Sequence, residues 1–317
     1  MAVPIVIINP ESAGGATGEA WPKIASELAK QIGAFTPKFT NRPGEGTDLA
    51  ASAARKRCKL IIACGGDGTI SEVANGILTA GGDSELGILP SGTGGDFRKT
   101  LNIPTRTADA AAILRKGQTR QIDVGKATFI ANGEQVSRYF LGVASFGMSA
   151  DVIARVKEGG PDWLPSKGPK WLTGRVSFGV AMLQTAIKTS AIRVVVQLDD
   201  DPARHMTVAN LCIANARYFG GGMKIAPHAS LGDGKFDVVS IGDLGATRIL
   251  TNAPRLYLGA HLSMSGVGHA HAVKVAARAA NDDQRVDIEL DGEVPGSLPA
   301  VFQILPRALR VRCPRES

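Results

Sequence analysis

The sequence predicts an α/β domain built on a doubly wound parallel sheet, joined to a mainly antiparallel β-sandwich domain. Three observations carry this expectation. Short apolar runs alternate with helical patterns over the first third of the 317 residues. From about Asp123 the chain becomes a succession of short strand-like runs divided by turn dipeptides. Hydrophobic residues make up 44% and charged residues 21%, which is enough apolar side chain to fill the cores of two ordinary domains. The α/β domain is expected over residues 1–122 and the β domain over 123–305, with the segment 306–317 returning to the first.

The first strand is the apolar run 3–8, which stops at Asn9-Pro10. Runs 59–64 and 86–89 have the same character, and continuous apolar runs of this length suit strands covered on both faces of a parallel sheet. Between them, Trp21, Ile24, Leu28 and Ile32 share one helical face, and Ile70, Val73, Ala74, Ile77 and Leu78 follow the spacing of an amphipathic helix. The Ala-rich stretch 107–116 forms another helix, closed by Gly117. Strand–helix alternation of this kind is the pattern of an α/β domain. The later strand-like runs are 139–144, 192–198, 208–214, 236–241, 273–277, 286–290 and 302–305. Asn132-Gly133, Asp233-Gly234 and Asp291-Gly292 supply turn signals among them, and helical stretches at 176–188 and 247–261 interrupt the series.

Each of the first three strands ends in a Gly-rich polar turn: Asn9-Pro10-Glu11-Ser12-Ala13-Gly14-Gly15, then Gly65-Gly66-Asp67-Gly68-Thr69, then Ser91-Gly92-Thr93-Gly94-Gly95-Asp96. Ligands of open parallel sheets bind beyond the carboxyl ends of the strands. Gly-rich amides and helix N-termini at that edge suit phosphate groups, and carboxylates there suit Mg²⁺. Ordinary strand-to-helix turns, with Asp67 and Thr69 as caps, are the plainer alternative for any one turn, but three in succession favour phosphate. The chain has no G-x-x-x-x-G-K-[ST] element, and the protein-kinase set is absent, so a nucleotide would be held by another architecture.

Gly65-Gly66-Asp67-Gly68-Thr69 resembles the nucleotide motif shared by diacylglycerol kinases, sphingosine kinases and NAD kinases. Residues 89–97 resemble the lipid-kinase pattern G-T-x-N-D-F, with Gly95 where the family usually has Asn. The segment from Asn215 to Pro227, the following Ser230-Leu231-Gly232-Asp233-Gly234-Lys235-Phe236, and Leu290-Asp291-Gly292-Glu293 are similar to lipid-kinase elements in the same order. The resemblance to the diacylglycerol and sphingosine kinase catalytic family therefore runs nearly the full length. It implies an ATP-dependent lipid kinase with an α/β nucleotide-binding domain and a β-sandwich. It also implies ATP contacts at Asn9, Gly14, Thr40, Gly65, Gly66, Asp67, Gly68, Thr69, Ile70, Ser71 and Thr93. Asp67 and Asp96 would arrange Mg²⁺ and the phosphates, and Glu293 matches the catalytic base. Asp233 matches a ligand of a second, structural Mg²⁺, with backbone carbonyls at Ser230 and Lys235. Asp291-Gly292 is equally a hairpin signal when read without the family. The alternatives are a kinase of NAD or a soluble alcohol, and a non-catalytic nucleotide- or lipid-binding regulator.

Lys and Arg number 36 against 29 Asp and Glu, a net charge of +7 that favours anionic partners without choosing among them. Nucleic acid is not expected, because no recognition module or aromatic platform is present. Over 155–188, Trp163 and Trp171 lie among Arg155, Lys157, Lys167, Lys170, Arg175 and Lys188, a composition that fits an anionic membrane surface as well as a solvated helix. No signal peptide or membrane span is read, and the four scattered cysteines fit a reducing cytoplasm. A homodimer is compatible with the resemblance. His269 and His271 share one face of a strand, but two ligands without a third do not make a metal site.

Overall fold

The computed structural model describes residues 3–91, 95–157, 191–281 and 283–315. The chain divides into two compact units, Met1–Val124 with Pro306–Ser317, and Gly125–Leu305.

The first unit runs β1 (Ile5–Ile8), α1 (Ala16–Ile32), β2 (Thr36–Phe39), α2 (Glu45–Arg55), β3 (Leu60–Gly65), α3 (Asp67–Thr79), β4 (Glu85–Pro90), α4 (Asp96–Thr100) and α5 (Thr107–Lys116). Its strands are parallel in the order β2-β1-β3-β4. Val6, Ile7, Ile8, Ile61, Ile62, Ala63 and Cys64 are all fully buried, the condition that the continuous apolar runs anticipate. A last parallel neighbour comes from far along the chain. Arg310 and Val311, near the end of β14 (Glu293–Cys313), pair with Glu85 and Leu86 of β4. Arg312 Nη2 lies 2.5 Å from Glu85 Oε2 beside this pairing. Asp123 Oδ1 accepts the Arg307 amide at 2.8 Å.

Two elements here lack an apolar signature. β2 reads Thr-Pro-Lys-Phe, is mostly exposed and, among the described residues, pairs only with β1, as an edge strand does. α2 packs on α3 through small residues, with Gly46, Ala50, Ala51 and Ala53 buried. The contact is close at Gly76, where a Cβ would stand 2.3 Å from the Thr47 carbonyl oxygen and 2.8 Å from the Ala51 nitrogen. α1 packs against α5, which ends at Gly117 as its sequence predicts.

The second unit consists of antiparallel pairs. They are formed by β5 (Gln118–Ala131), β6 (Glu134–Phe140), β7 (Val143–Gly147), β8 (Ile192–Leu198), β9 (Arg204–Ala214), β10 (Phe236–Gly242), β11 (Val267–Ala272), β12 (Lys274–Ala279), β13 (Asp287–Leu290) and the earlier part of β14. Helices α6 (Met148–Lys157) and α7 (Gly245–Leu258) interrupt the strands. Period-two alternation sorts the side chains of β10: Phe236 and Val238 enter one core, while Val239 enters a second core with Val143, Cys212, Met223 and Ile225. Phe140 centres the first core, stacked on Phe236 at 5.6 Å and edge-on to Phe302 at 6.3 Å.

The run 139–144 is not one strand. β6 stops at Phe140 and β7 starts at Val143, with the chain bending at Leu141-Gly142, where an acceptor described below replaces the ladder. The helical stretch expected over 176–188 and the basic, Trp-containing segment around Lys167 and Lys170 lie outside the described residues. Among the described residues no helix is long and apolar enough to cross a membrane.

Gly76→Ala tests the α2–α3 contact. Ala is favoured over Gly by about 1 kcal/mol in a helix interior. The added methyl meets backbone rather than a flexible side chain, so the substitution is expected to destabilise by about 1–3 kcal/mol instead. A lowered urea midpoint measures it.

Candidate active site

The Gly-rich turns of the first unit meet one another. Asn9 donates its amide to the Cys64 carbonyl at 3.1 Å, and Ser91 donates its amide to Gly65 at 3.0 Å. Thr17, fully buried at the start of α1, places its hydroxyl 2.7 Å from that of Ser91. Asn9 Oδ1 accepts the Glu11 amide at 3.0 Å, and the turn continues through left-handed Ala13, Gly14 and Gly15, with φ of 58°, 65° and 90°. Gly65 is demanded by packing: a Cβ there would lie 2.4 Å from Thr69 Oγ1 and 2.9 Å from Ser12 Oγ.

Asp67 ties the second turn to the third. Its Oδ2 accepts the Gly95 and Asp96 amides, both at 2.9 Å, and its Oδ1 accepts the Phe97 amide at 3.3 Å. It therefore binds the start of α4 rather than capping its own helix. Burial pushes the Asp67 carboxyl above its ordinary value, helped by the Asp96 charge and opposed by the three amides. Asp96 itself pairs with Lys99 at 2.8 Å. Gly95 stands in the left-handed region, φ 90° and ψ 51°, a conformation open to Gly and, less readily, to Asn. Thr93 lies outside the described residues, with Gly92 and Gly94.

A fourth turn joins this edge. Thr40, buried at the end of β2, donates its amide to Ile8 at 2.9 Å, beside Asn9. Glu72 on α3 accepts the Gly44 amide at 2.8 Å and the Gly46 amide at 2.9 Å, fixing the chain after Thr40. Its distance in sequence from that turn hid this role. Ile70 and Ser71 turn their side chains into the buried interior.

Helices α1, α3 and α4 have Gly15, Gly66 and Gly95 as N-caps; Asp67 takes up the first amides of α4, and the Ser12 and Pro10 carbonyls those of Thr17 and Gly18 in α1. Gly66 and Gly68 are required neither by left-handed backbone nor by packing, since a Cβ on either would meet nothing within 4 Å. Thr69 Oγ1 is buried with no hydrogen-bond partner among the described residues. The open space about Gly66 and Gly68, the N-terminus of α3 and a half-buried acid of raised proton affinity fit a phosphate chain with its divalent cation.

In the second unit, Glu293 opens β14 after the Asp291-Gly292 turn, whose φ values are 49° and 88°. Its Oε2 lies 2.6 Å from Arg138 Nη2. Asp291 does not face outward: Oδ2 accepts the Leu141 amide and Oδ1 the Gly142 amide, each at 2.8 Å, which is the acceptor that bends the chain between β6 and β7. Asn215 binds the same bend from the other side. Its amide reaches the Gly142 carbonyl at 2.9 Å and its Nδ2 the Leu141 carbonyl at 2.9 Å. Two motifs distant in sequence thus grip one turn. Asp233 Oδ1 accepts the Lys235 amide at 3.2 Å in the turn entered from Ser230. Asp233 and Lys235 are exposed and Ser230 is half-buried.

Glu289 was not singled out by sequence because it sits in the apolar run before the turn. It is buried, its Oε1 accepts the Gly292 amide at 2.5 Å, and its Oε2 is bonded to the Ser145 hydroxyl. Ser145 continues to Ser149 at 2.7 Å, whose amide reaches Asn210 Oδ1 at 3.0 Å. Burial pushes the Glu289 carboxyl up to about 7, with a smaller push from Asp291, against the pull of Ser145 and Gly292.

Residues 4–127 match the diacylglycerol kinase catalytic domain, and residues 143–313 match the YegS C-terminal NAD kinase beta sandwich-like domain. These place the chain in the class of kinases built from a catalytic domain followed by a β-sandwich-like one. A diacylglycerol kinase of Bacillus subtilis is 30% identical over 282 residues, covering 87% of this chain and 85% of its own. One of Mycobacterium tuberculosis is 29% identical over 270 residues, covering 84% and 81%. The crystal structure of a diacylglycerol kinase from Bacillus anthracis shares the fold, with a TM-score of 0.70 at 22% identity over 98% of this chain and 96% of that one. The chain belongs to the diacylglycerol kinase family.

The raised Glu289 carboxyl has a consequence for stability. The folded state keeps this proton up to about pH 7, while an unfolded glutamate releases it near its ordinary value of 4.5. Between these values the unfolded state binds fewer protons, so stability falls as pH rises through the window and levels off above it. The loss is on the order of 3 kcal/mol. Glu289→Gln, which resembles the protonated form, is expected to remove this slope. Denaturant unfolding at pH 5 and pH 8, for both proteins, checks it.

Proposed function

We propose that the protein is an ATP- and Mg²⁺-dependent lipid kinase that transfers the γ-phosphate to the hydroxyl of a diacylglycerol-like lipid. The observation that carries this reading is the convergence of the Gly-rich turns around Gly66 and Gly68, two glycines that the chain's own packing does not require. Family membership supports the acceptor class.

In this reading a doubly wound parallel sheet presents the turns at its carboxyl edge. The turn from Gly65 to Ser71 at the start of α3, with the Asn9–Gly14 turn beside it, binds the phosphates, and Thr40 and Thr93 meet the nucleotide. Mg²⁺ would neutralise charge on the transferring phosphate, held through Asp67 and Asp96. Asp67 has capacity for this, because a carboxylate offers about four lone-pair sites and three amides occupy three. Glu293 accepts the proton of the acceptor hydroxyl as its oxygen attacks the γ-phosphate. Arg138 is the positioning residue: its guanidinium fixes the Glu293 carboxylate. Asp233, with the carbonyls of Ser230 and Lys235, would hold a second, structural Mg²⁺. The enzyme is placed in the cytoplasm, meeting its substrate at an anionic membrane surface without spanning it.

Transfer of labelled phosphate from ATP with Mg²⁺ to a panel of lipid alcohols in mixed micelles tests the function, with NAD and soluble alcohols as controls. Product on diacylglycerol is expected. Product only on a soluble acceptor would remove the lipid from the proposal. Glu293→Ala is expected to lower turnover by ~10²–10⁴ with little change in the KM for ATP; near-normal turnover in the folded variant removes the base assignment. Asp67→Ala is expected to weaken ATP binding and lower stability together, because both depend on the third turn, and isothermal titration with thermal melting reads the two effects.

A further inference from the structure

β10 and β11 pair antiparallel, with Asp237 opposite His271 and Val239 opposite His269. The register brings three potential metal ligands onto one side of the two strands. Their ligand atoms all lie within 4.8 Å of one another. His269 Nε2 is 2.7 Å from Asp237 Oδ1, and His271 Nε2 is 3.5 Å from the same oxygen. The two imidazoles meet edge-to-face, with ring centres 4.9 Å apart. Asp237 is nearly inaccessible, its side chain 3% exposed, whereas those of His269 and His271 are 26% and 52% exposed.

We propose that Asp237, His269 and His271 form a binding site for one borderline divalent transition-metal ion, with Zn²⁺ the best match. A buried carboxylate needs a hydrogen-bond partner, and His269 alone supplies one. His271 directs a second ring nitrogen at the same oxygen, an arrangement that one hydrogen bond does not call for and that a shared cation does. Ligand atoms about 2.0–2.1 Å from a metal stand roughly 3 Å apart, close to the two separations from Asp237 Oδ1. Two imidazoles and one carboxylate select Zn²⁺ and its neighbours over Mg²⁺, which prefers oxygen ligands and retains its waters. Three protein ligands leave a coordination position for water on the exposed histidine side. The bound ion would join β11 to β10 through side chains as well as through the backbone ladder. Neither histidine takes part in the phosphoryl transfer proposed above, so the site stands or falls separately from it.

Tag-free protein, stripped with a chelator and passed into metal-free buffer, is titrated with Zn²⁺ by calorimetry and with Co²⁺ by visible absorption. One equivalent of Zn²⁺ is expected to bind and raise the melting temperature, and Co²⁺ is expected to give a visible absorption band. His271→Ala changes a half-exposed side chain and leaves the fold intact. It is expected to weaken Zn²⁺ binding tenfold or more, as are His269→Ala and Asp237→Asn, while excess Mg²⁺ does not compete. Absence of Zn²⁺ binding, or binding unchanged in a folded His269→Ala, His271→Ala double variant, would overturn the assignment. Full competition by Mg²⁺ at comparable concentration would also overturn it, because it would identify an oxygen-only site elsewhere.

Discussion

Backbone N–H groups from Gly95, Asp96 and Phe97 converge on the carboxylate of Asp67, and the geometry of the first unit's ligand edge depends on that grip. The acid is mostly out of water, which raises its proton affinity, and charge-assisted bonds from the amides offset the cost of burying it. The bonds also set the register of the third turn on the second, since α4 begins at Asp96. The acid at the centre of the Gly-Gly-Asp-Gly-Thr string is thus a structural tie before it is anything else. Its remaining negative charge lies at the start of α3 and α4, where the helix macrodipoles stabilise it.

The same device recurs at other reversals of the chain. Glu72 holds the Gly44 and Gly46 amides, Asp291 holds Leu141 and Gly142, and Asp199 holds Val273 and Lys274. A turn leaves adjacent N–H groups facing one way, and a carboxylate can satisfy two of them at once. In the second unit Asn215 completes the arrangement by supplying donors to the carbonyls of the bend whose amides Asp291 binds. Glu289 then secures the Gly292 amide, so the turn that presents Glu293 is held by two carboxylates, Glu289 before it and Asp291 within it.

The parts of this fold that were legible in the sequence are those whose burial is two-sided or whose turns are chemically marked. Residues 59–64 and 86–89 correspond to β3 and β4 within a residue or two, and 192–198 and 107–116 coincide with β8 and α5. Asn132-Gly133 and Asp291-Gly292 take the positive φ angles their residue types favour. Among the elements that the sequence did not announce, three were hidden for clear physical reasons. β2 is a nearly exposed edge, α2 packs through glycine and alanine and so carries no large-residue stripe, and β11 reads Val-Gly-His-Ala-His-Ala. The Gly-rich turns of the candidate site were legible because their composition is unusual. Glu72, Arg138 and Glu289 were not, because their partners are remote in sequence and single acidic or basic residues carry no pattern.

The pairing of Arg310 and Val311 with β4 makes the second unit an insertion within the first. During synthesis, β4 therefore emerges from the ribosome long before its outer neighbour does, and the Glu85 carboxylate must wait for Arg312 until the whole of the β-rich unit has been made. The sheet is closed only after the β-rich unit has been made. Until then its β4 side is an unpaired parallel edge, a surface for chaperones to shield and for other nascent chains to capture.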